Sequence, residues 1–136
     1  MRTVHTVFVI PFAMESSLRF ARAAAGLPGV RLSVVSQDAP QKLPAELTES
    51  LQGFVQVKDA LDADELTAVV QELSDAHGTV DRLLGILEPL QEPLGVVRER
   101  LQIRGMDSAE ARNFRDKARM KEVLSVHGID IARHRL

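Results

Sequence analysis

Apolar positions change period several times along this chain. Val7-Phe8-Val9-Ile10 is a continuous apolar run, the pattern of a strand buried on both faces in a parallel sheet, and Pro11 ends it. From Ser16 the spacing turns helical. Leu18, Ala21 and Ala25 fall at i, i+3 and i+7, with Phe20 and Ala24 widening the stripe, until Gly26-Leu27-Pro28-Gly29 stops it. Val30 to Ser36 predicts a second strand, Gln37 to Pro44 a loop, Ala45–Leu51 a short helix and Phe54–Val57 a third strand. Asp62 and Glu65 have capping-box spacing ahead of Leu66, Val69, Val70 and Leu73, and Gly78 ends that helix. Leu83–Leu87 predicts a fourth strand, closed by Glu88-Pro89. Pro93 suits the start of the next helix, whose stripe is Leu94, Val97 and Leu101. Asp107 and Glu110 form a second capping box. It opens one long helix to His127, with Ala111, Phe114 and Ala118 on its stripe. Gly128 closes that helix, and Ile129–Leu136 predicts a last short strand.

Strands alternating with helices predict an α/β fold with a four-stranded parallel sheet in the order 3-2-1-4. Right-handed crossovers then place helices on both faces. Ile103 to Asp107 is a short connector that marks a boundary. The helix and strand after it have no sheet of their own to join, and a lone strand leaves backbone groups unpaired. The last segment, Ile129–Leu136, is expected to be poorly ordered or to pair with a neighbouring chain.

Composition narrows the chemistry. With 136 residues, 45% apolar and net charge −2, the chain can bury a core and lacks the signature of disorder. It has no cysteine, which excludes thiolate catalysis and Cys-ligated metals. No apolar run is long enough to span a bilayer, and the N-terminus looks like a first strand, not a leader, so a cytoplasmic protein is expected. Charge is uneven. Residues 1–91 carry 7 Lys and Arg against 12 Asp and Glu, whereas residues 92–136 carry 10 against 7. A basic segment on a near-neutral chain points to a local anion such as a phosphate. It does not point to nucleic acid, because the aromatics are five Phe with no Tyr or Trp for base stacking. The four histidines show no ligand spacing in sequence, so no metal site is expected here.

Ligands of open α/β sheets bind beyond the carboxyl ends of the strands. Two loops there carry candidate residues. Pro11 to Ser16 opens the first helix and offers Glu15 and Ser16 as substrate-facing groups, though it has no G-x-G-x-x-G and Glu15 would repel a phosphate. Glu88 ends the fourth strand; it either faces a substrate or, with Glu92, flanks a turn. Further on, Arg112, Arg115, Arg119 and Glu122 would share one face of the long helix. Lys117 and Lys121 would lie beside its apolar stripe.

The tail carries a family resemblance. The run from Glu99 through Ile103-Arg104-Gly105 to Asp116-Lys117, then Met120-Lys121-Glu122-Val123-Leu124 and Gly128-Ile129, resembles the junction at which ATP-grasp enzymes such as biotin carboxylases and carbamoyl-phosphate synthetases pass from a small Rossmann-like domain into the ATP-grasp domain. Asp130 stands where that family usually has proline. The resemblance implies a pre-ATP-grasp domain over residues 1–104 and the truncated start of an ATP-grasp domain over residues 105–136. It implies a full-length ligase that uses ATP and magnesium to activate a small carboxylate as an acyl phosphate, then passes the acyl group to an amine or another nucleophile. Lys117 matches the lysine that contacts an ATP phosphate; Asp116 either orients it or pairs with an arginine. The 136 residues alone would hold no cofactor tightly and would be inactive. A homodimer is one expectation for the parent. The rival readings are a stand-alone Rossmann- or flavodoxin-like binding module and an interaction domain.

Overall fold

Alternation inside the first apolar run decides the layering. In the computed structural model, which describes residues 2–133, that run lies in strand β1, Val4–Ile10. Val7 and Val9 belong to one buried cluster and Phe8 and Ile10 to another, as a two-residue period requires when both faces of a sheet are covered. Helix α1 (Glu15–Ala25), β2 (Val30–Ser36), α2 (Ala45–Ser50), β3 (Gly53–Gln56), α3 (Ala63–His77), β4 (Arg82–Leu84) and α4 (Gln91–Leu101) follow. All pairings are parallel and the order is β3-β2-β1-β4, the expected 3-2-1-4. Leu66, Val70 and Leu73 of α3 and Leu94 and Val97 of α4 pack on the Val7 face. Leu18 and Ala21 of α1 and Leu47 of α2 pack on the Phe8 face.

Three local expectations are corrected. The fourth strand was expected over Leu83–Leu87 but spans only Arg82–Leu84. Beyond it the Gln91 side-chain amide donates to the carbonyls of Gly85 and Leu87 at 2.8 and 2.9 Å, so a side chain takes the place of a ladder. The box at Asp62 and Glu65 is half made. Asp62 accepts from the amides of Asp64 and Glu65, but the Glu65 carboxylate turns back to the amides of Lys58 and Asp59. The expected long helix is two: α5 (Ser108–Arg115) and α6 (Lys117–Val126). Asp116 ends the first in extended backbone and caps the second, accepting from the amides of Ala118 and Arg119 at 3.0 and 3.1 Å. Both boxes were legible as helix starts; the Asp116 cap was hidden by a continuous apolar spacing. Residues 129–133 form no strand, and the rest of the expected strand, 134–136, lies outside the described residues.

The amino end of the sheet is closed by a histidine. His5 is fully buried in β1. Its Nδ1 lies 2.8 Å from the Gly78 carbonyl oxygen and its Nε2 lies 2.9 Å from Ser33 Oγ. A carbonyl only accepts, so Nδ1 carries the proton and Nε2 accepts from the serine. Arg31 Nη1 donates to the His77 carbonyl at 2.7 Å, so His5 and Arg31 together satisfy orphan acceptors at the end of α3. The spacing of the histidines hid this meeting: the His5 and His77 rings stand 6.4 Å apart, edge to face. No group of three metal-ligating side chains forms among the described residues.

Burial holds the His5 pKa below the usual 6.5, against the Gly78 carbonyl, which favours the cation; Arg31 and His77 lower it further and Asp81 raises it. The unfolded chain therefore takes up this proton at a higher pH than the fold does. The contribution to stability is whole above about pH 6.5 and is lost as pH falls from there through the lowered folded value. Urea midpoints are expected to fall more steeply between pH 7.5 and 5 for the wild type than for His5→Asn; parallel slopes would remove His5 from the acid response.

Candidate functional site

The chain winds from β1 outward to β2 and β3, then returns to place β4 on the other side of β1. The carboxyl ends of β1 and β4 therefore flank the switch point, the place where open α/β sheets receive their ligands. The β1–α1 loop runs through Pro11 to Met14, and the β4–α4 loop from Gly85 to a 3₁₀ turn at Glu88–Leu90. Neighbouring loops hold the first in place. Asp38 Oδ2 accepts from the Ala13 amide at 2.8 Å, and the Gln37 amide donates to the Pro11 carbonyl at 2.9 Å. The Ala13 amide and the Lys42 ammonium together keep the Asp38 carboxyl below its ordinary range.

This topology places the expected substrate-facing residues at one end. Glu15 and Ser16 open α1 and are exposed; Glu88 opens the 3₁₀ turn and is exposed. Glu15 accepts from Arg22 Nη1 at 3.1 Å. The N-cap of α1 is Met14, whose side chain caps nothing, so the first amides of the helix have no side-chain partner there. Sequence reasoning missed Phe12 and Met14. They are large apolar residues, 52% and 48% exposed, in the loop the fold reserves for ligands. Their signal was an apolar pair inside a turn.

The basic tail reaches the same end. Glu92 lies in the first turn of α4, directly after the β4 loop. Arg112 donates to its Oε1 through Nε and Nη2 at 3.0 and 2.7 Å, and Arg115 Nη1 stands 3.6 Å from its Oε2. These contacts bring the last turn of α5, and the Asp116-Lys117 junction after it, to the carboxyl side of the sheet. Lys117 is the first residue of α6, is exposed and makes no salt bridge among the described residues. The break at Asp116 also dissolves the expected four-residue face: Arg112 and Arg115 serve Glu92, whereas Arg119 Nε donates to Asn113 Oδ1 at 2.6 Å. Phe114, expected in the stripe beside Lys117, is 72% exposed and lines an apolar groove of about 470 Å³ with Met106, Met120, Val123 and Leu124.

Two solved structures share this fold over 96% of the chain. One is L-amino acid ligase from Bacillus licheniformis, with a TM-score of 0.65 and 18% identity. The other is phosphoribosylglycinamide synthetase from Anaerococcus prevotii, with a TM-score of 0.62 and 14% identity. The fold is the one the ATP-grasp resemblance implies. The chain spans 32% and 30% of the length of these two proteins. No family model matches the chain, and no curated protein matches it in sequence. No helix among the described residues is long and apolar enough to cross a membrane.

Proposed function

We propose that this chain is the substrate-side, N-terminal region of an ATP-dependent ligase that joins a small carboxylate to an amine through an acyl phosphate. One observation carries the reading: the likeness to two ligases runs through 96% of the chain, and so takes in the tail with Asp116-Lys117 as well as the sheet. On this reading residues 1–104 are the pre-ATP-grasp domain and residues 105–136 open the ATP-grasp domain. Lys117 contacts an ATP phosphate, and Asp116 positions it by capping α6. Glu88, Glu15 and Ser16 line the substrate side of the switch point.

An exposed ammonium free of carboxylates suits a phosphate. Among the described residues no group of three metal-ligating side chains forms, and magnesium, which takes one or two carboxylates beside the phosphates, is assigned to the longer protein. Phosphoryl transfer needs metal and several phosphate clamps acting together, and Lys117 is a single candidate clamp. The 136 residues are therefore expected to release no ADP from ATP on their own. The longer ligase is expected to release ADP only when its carboxylate is present, and hydroxylamine should trap the activated acyl group as a hydroxamate. Saturable, magnesium-dependent ATP hydrolysis by the 136 residues would contradict the domain division. Hydroxamate-free, carboxylate-independent ADP release by the longer protein would contradict the ligase reading.

A further inference from the structure

A buried guanidinium without a carboxylate stands behind the α5–α6 arm. Arg98 of α4 is 7% exposed. Its Nε and Nη2 donate to the Leu83 carbonyl at 3.1 and 2.7 Å, and its Nη1 donates to the Met106 carbonyl at 2.9 Å. One side chain thus joins three parts of the fold: helix α4, the edge strand β4, and the connector that leads into α5. No acidic group pairs with it among the described residues. Burial lowers its pKa, yet a guanidinium starts high enough to keep its charge.

A buried charge is costly, and a well-packed apolar residue of similar volume is often as stable or more so. General packing therefore does not account for Arg98. A guanidinium offers what an apolar side chain or a lysine lacks, a planar fork that bonds two carbonyls in fixed directions at once. The surroundings fit that use. Gly105, at φ 154°, lies against the arginine stem: a Cβ there would come within 2.8 Å of Arg98 Cδ and 3.0 Å of Nε. Outside the connector, the start of α5 packs on α4 at Gly95 and buries Ala111, and the polar ties between the two helices are surface contacts. Glu99 accepts from the Ser108 amide and hydroxyl at 2.8 and 2.7 Å, and Arg112 holds the half-exposed Glu92. Such exposed contacts are individually weak.

We propose that Arg98 is a latch: its fork fixes the α5–α6 arm on the edge of the sheet, and so makes it a positioning residue for Lys117. The consequence for Lys117 rests on the function proposed above; the latch itself does not, and it is tested without ATP. Because the chain has no cysteine, Ala23→Cys on α1 and Glu122→Cys on α6 give two unique spin-label sites, both exposed. Pulsed dipolar spectroscopy on the 136-residue chain then reads the distance from the sheet body to the arm. With Arg98 intact a single narrow distribution is expected. With Arg98→Met or Arg98→Lys its width is expected to at least double, while amide exchange in β1 and β2 stays protected. A residue that served stability alone would lower protection throughout and leave the distribution of the folded molecules narrow. Gly105→Ala keeps the guanidinium but crowds Arg98 Cδ and Nε and strains the connector at its positive φ, and it should broaden the distribution in the same way. If Arg98→Met and Arg98→Lys do not fold, Gly105→Ala decides alone. A narrow, wild-type distribution in the folded variants overturns the latch.

Discussion

Gly95→Ala is expected to destabilise the chain by about 3 kcal/mol, the upper part of the usual range for overpacking. Gly95 is buried in α4 where α5 begins. A Cβ there would lie 2.6 Å from the Ser108 nitrogen and 2.7 Å from Asp107 C and Ser108 Cα. All three are backbone atoms of the Asp107 cap, so none can swing aside as a side-chain tip does. In an open helix the same change would favour folding by about 1 kcal/mol, so the expected sign is opposite to propensity. Gly26→Ala is the control. Its nearest neighbours would be backbone oxygens at 3.5 and 3.7 Å, and its φ of −81° suits any residue. Urea unfolding of both variants separates the cases. Wild-type stability in Gly95→Ala would mean that α4 and α5 do not approach as described.

If the proposed function holds, Lys117→Ala is expected to weaken ATP binding to the longer protein tenfold to a hundredfold. A charge-assisted contact to phosphate is worth roughly 1.5–3 kcal/mol, and each decade of affinity is about 1.4 kcal/mol. Arg115→Ala should change affinity little, because that guanidinium faces Glu92. Asp116→Ala removes the cap of α6, which is worth about 1 kcal/mol to the helix, and should weaken ATP binding indirectly. Stability should barely move in Lys117→Ala, since the side chain is exposed and unpaired among the described residues. Titration at fixed magnesium and salt checks all three. Equal affinities for wild type and Lys117→Ala would return Lys117 to an ordinary surface lysine.

What could be seen in the sequence follows the strength of each local signal. The runs at Val7–Ile10 and Val30–Val35 are long and rich in β-branched residues, and with right-handed crossovers the order 3-2-1-4 places helices on both faces, as found. The fourth strand was overdrawn because apolar residues at 85–87 pack without pairing, a distinction that rests on Gln91 six positions beyond Gly85. The break at Asp116 went unseen for a different reason. Apolar spacing continues through it, and a capping aspartate inside such a run looks like any polar face residue. Of the candidate site, Glu15, Ser16 and Glu88 could be placed at one end from strand polarity alone. Phe12 and Met14 could not, because exposure depends on what covers a loop. Arg98 was invisible as well: in sequence it is one arginine in a basic stretch, and its burial comes from the connector folding back through Gly105.

The break at Asp116 has an electrostatic consequence for Lys117. In one continuous helix Lys117 would lie at the middle, where the aligned peptide dipoles largely cancel. Opening α6 instead, it sits at the end where they sum to a positive partial charge. A cation in that first turn works against its own helix by roughly 0.3–1 kcal/mol at an exposed position. An anion close to the ammonium would reverse the sign, since it meets the lysine and the helix terminus together. The Asp116 cap, worth about 1 kcal/mol, offsets the cost of the lysine, so α6 should fray from its Lys117 end only when the cap is removed.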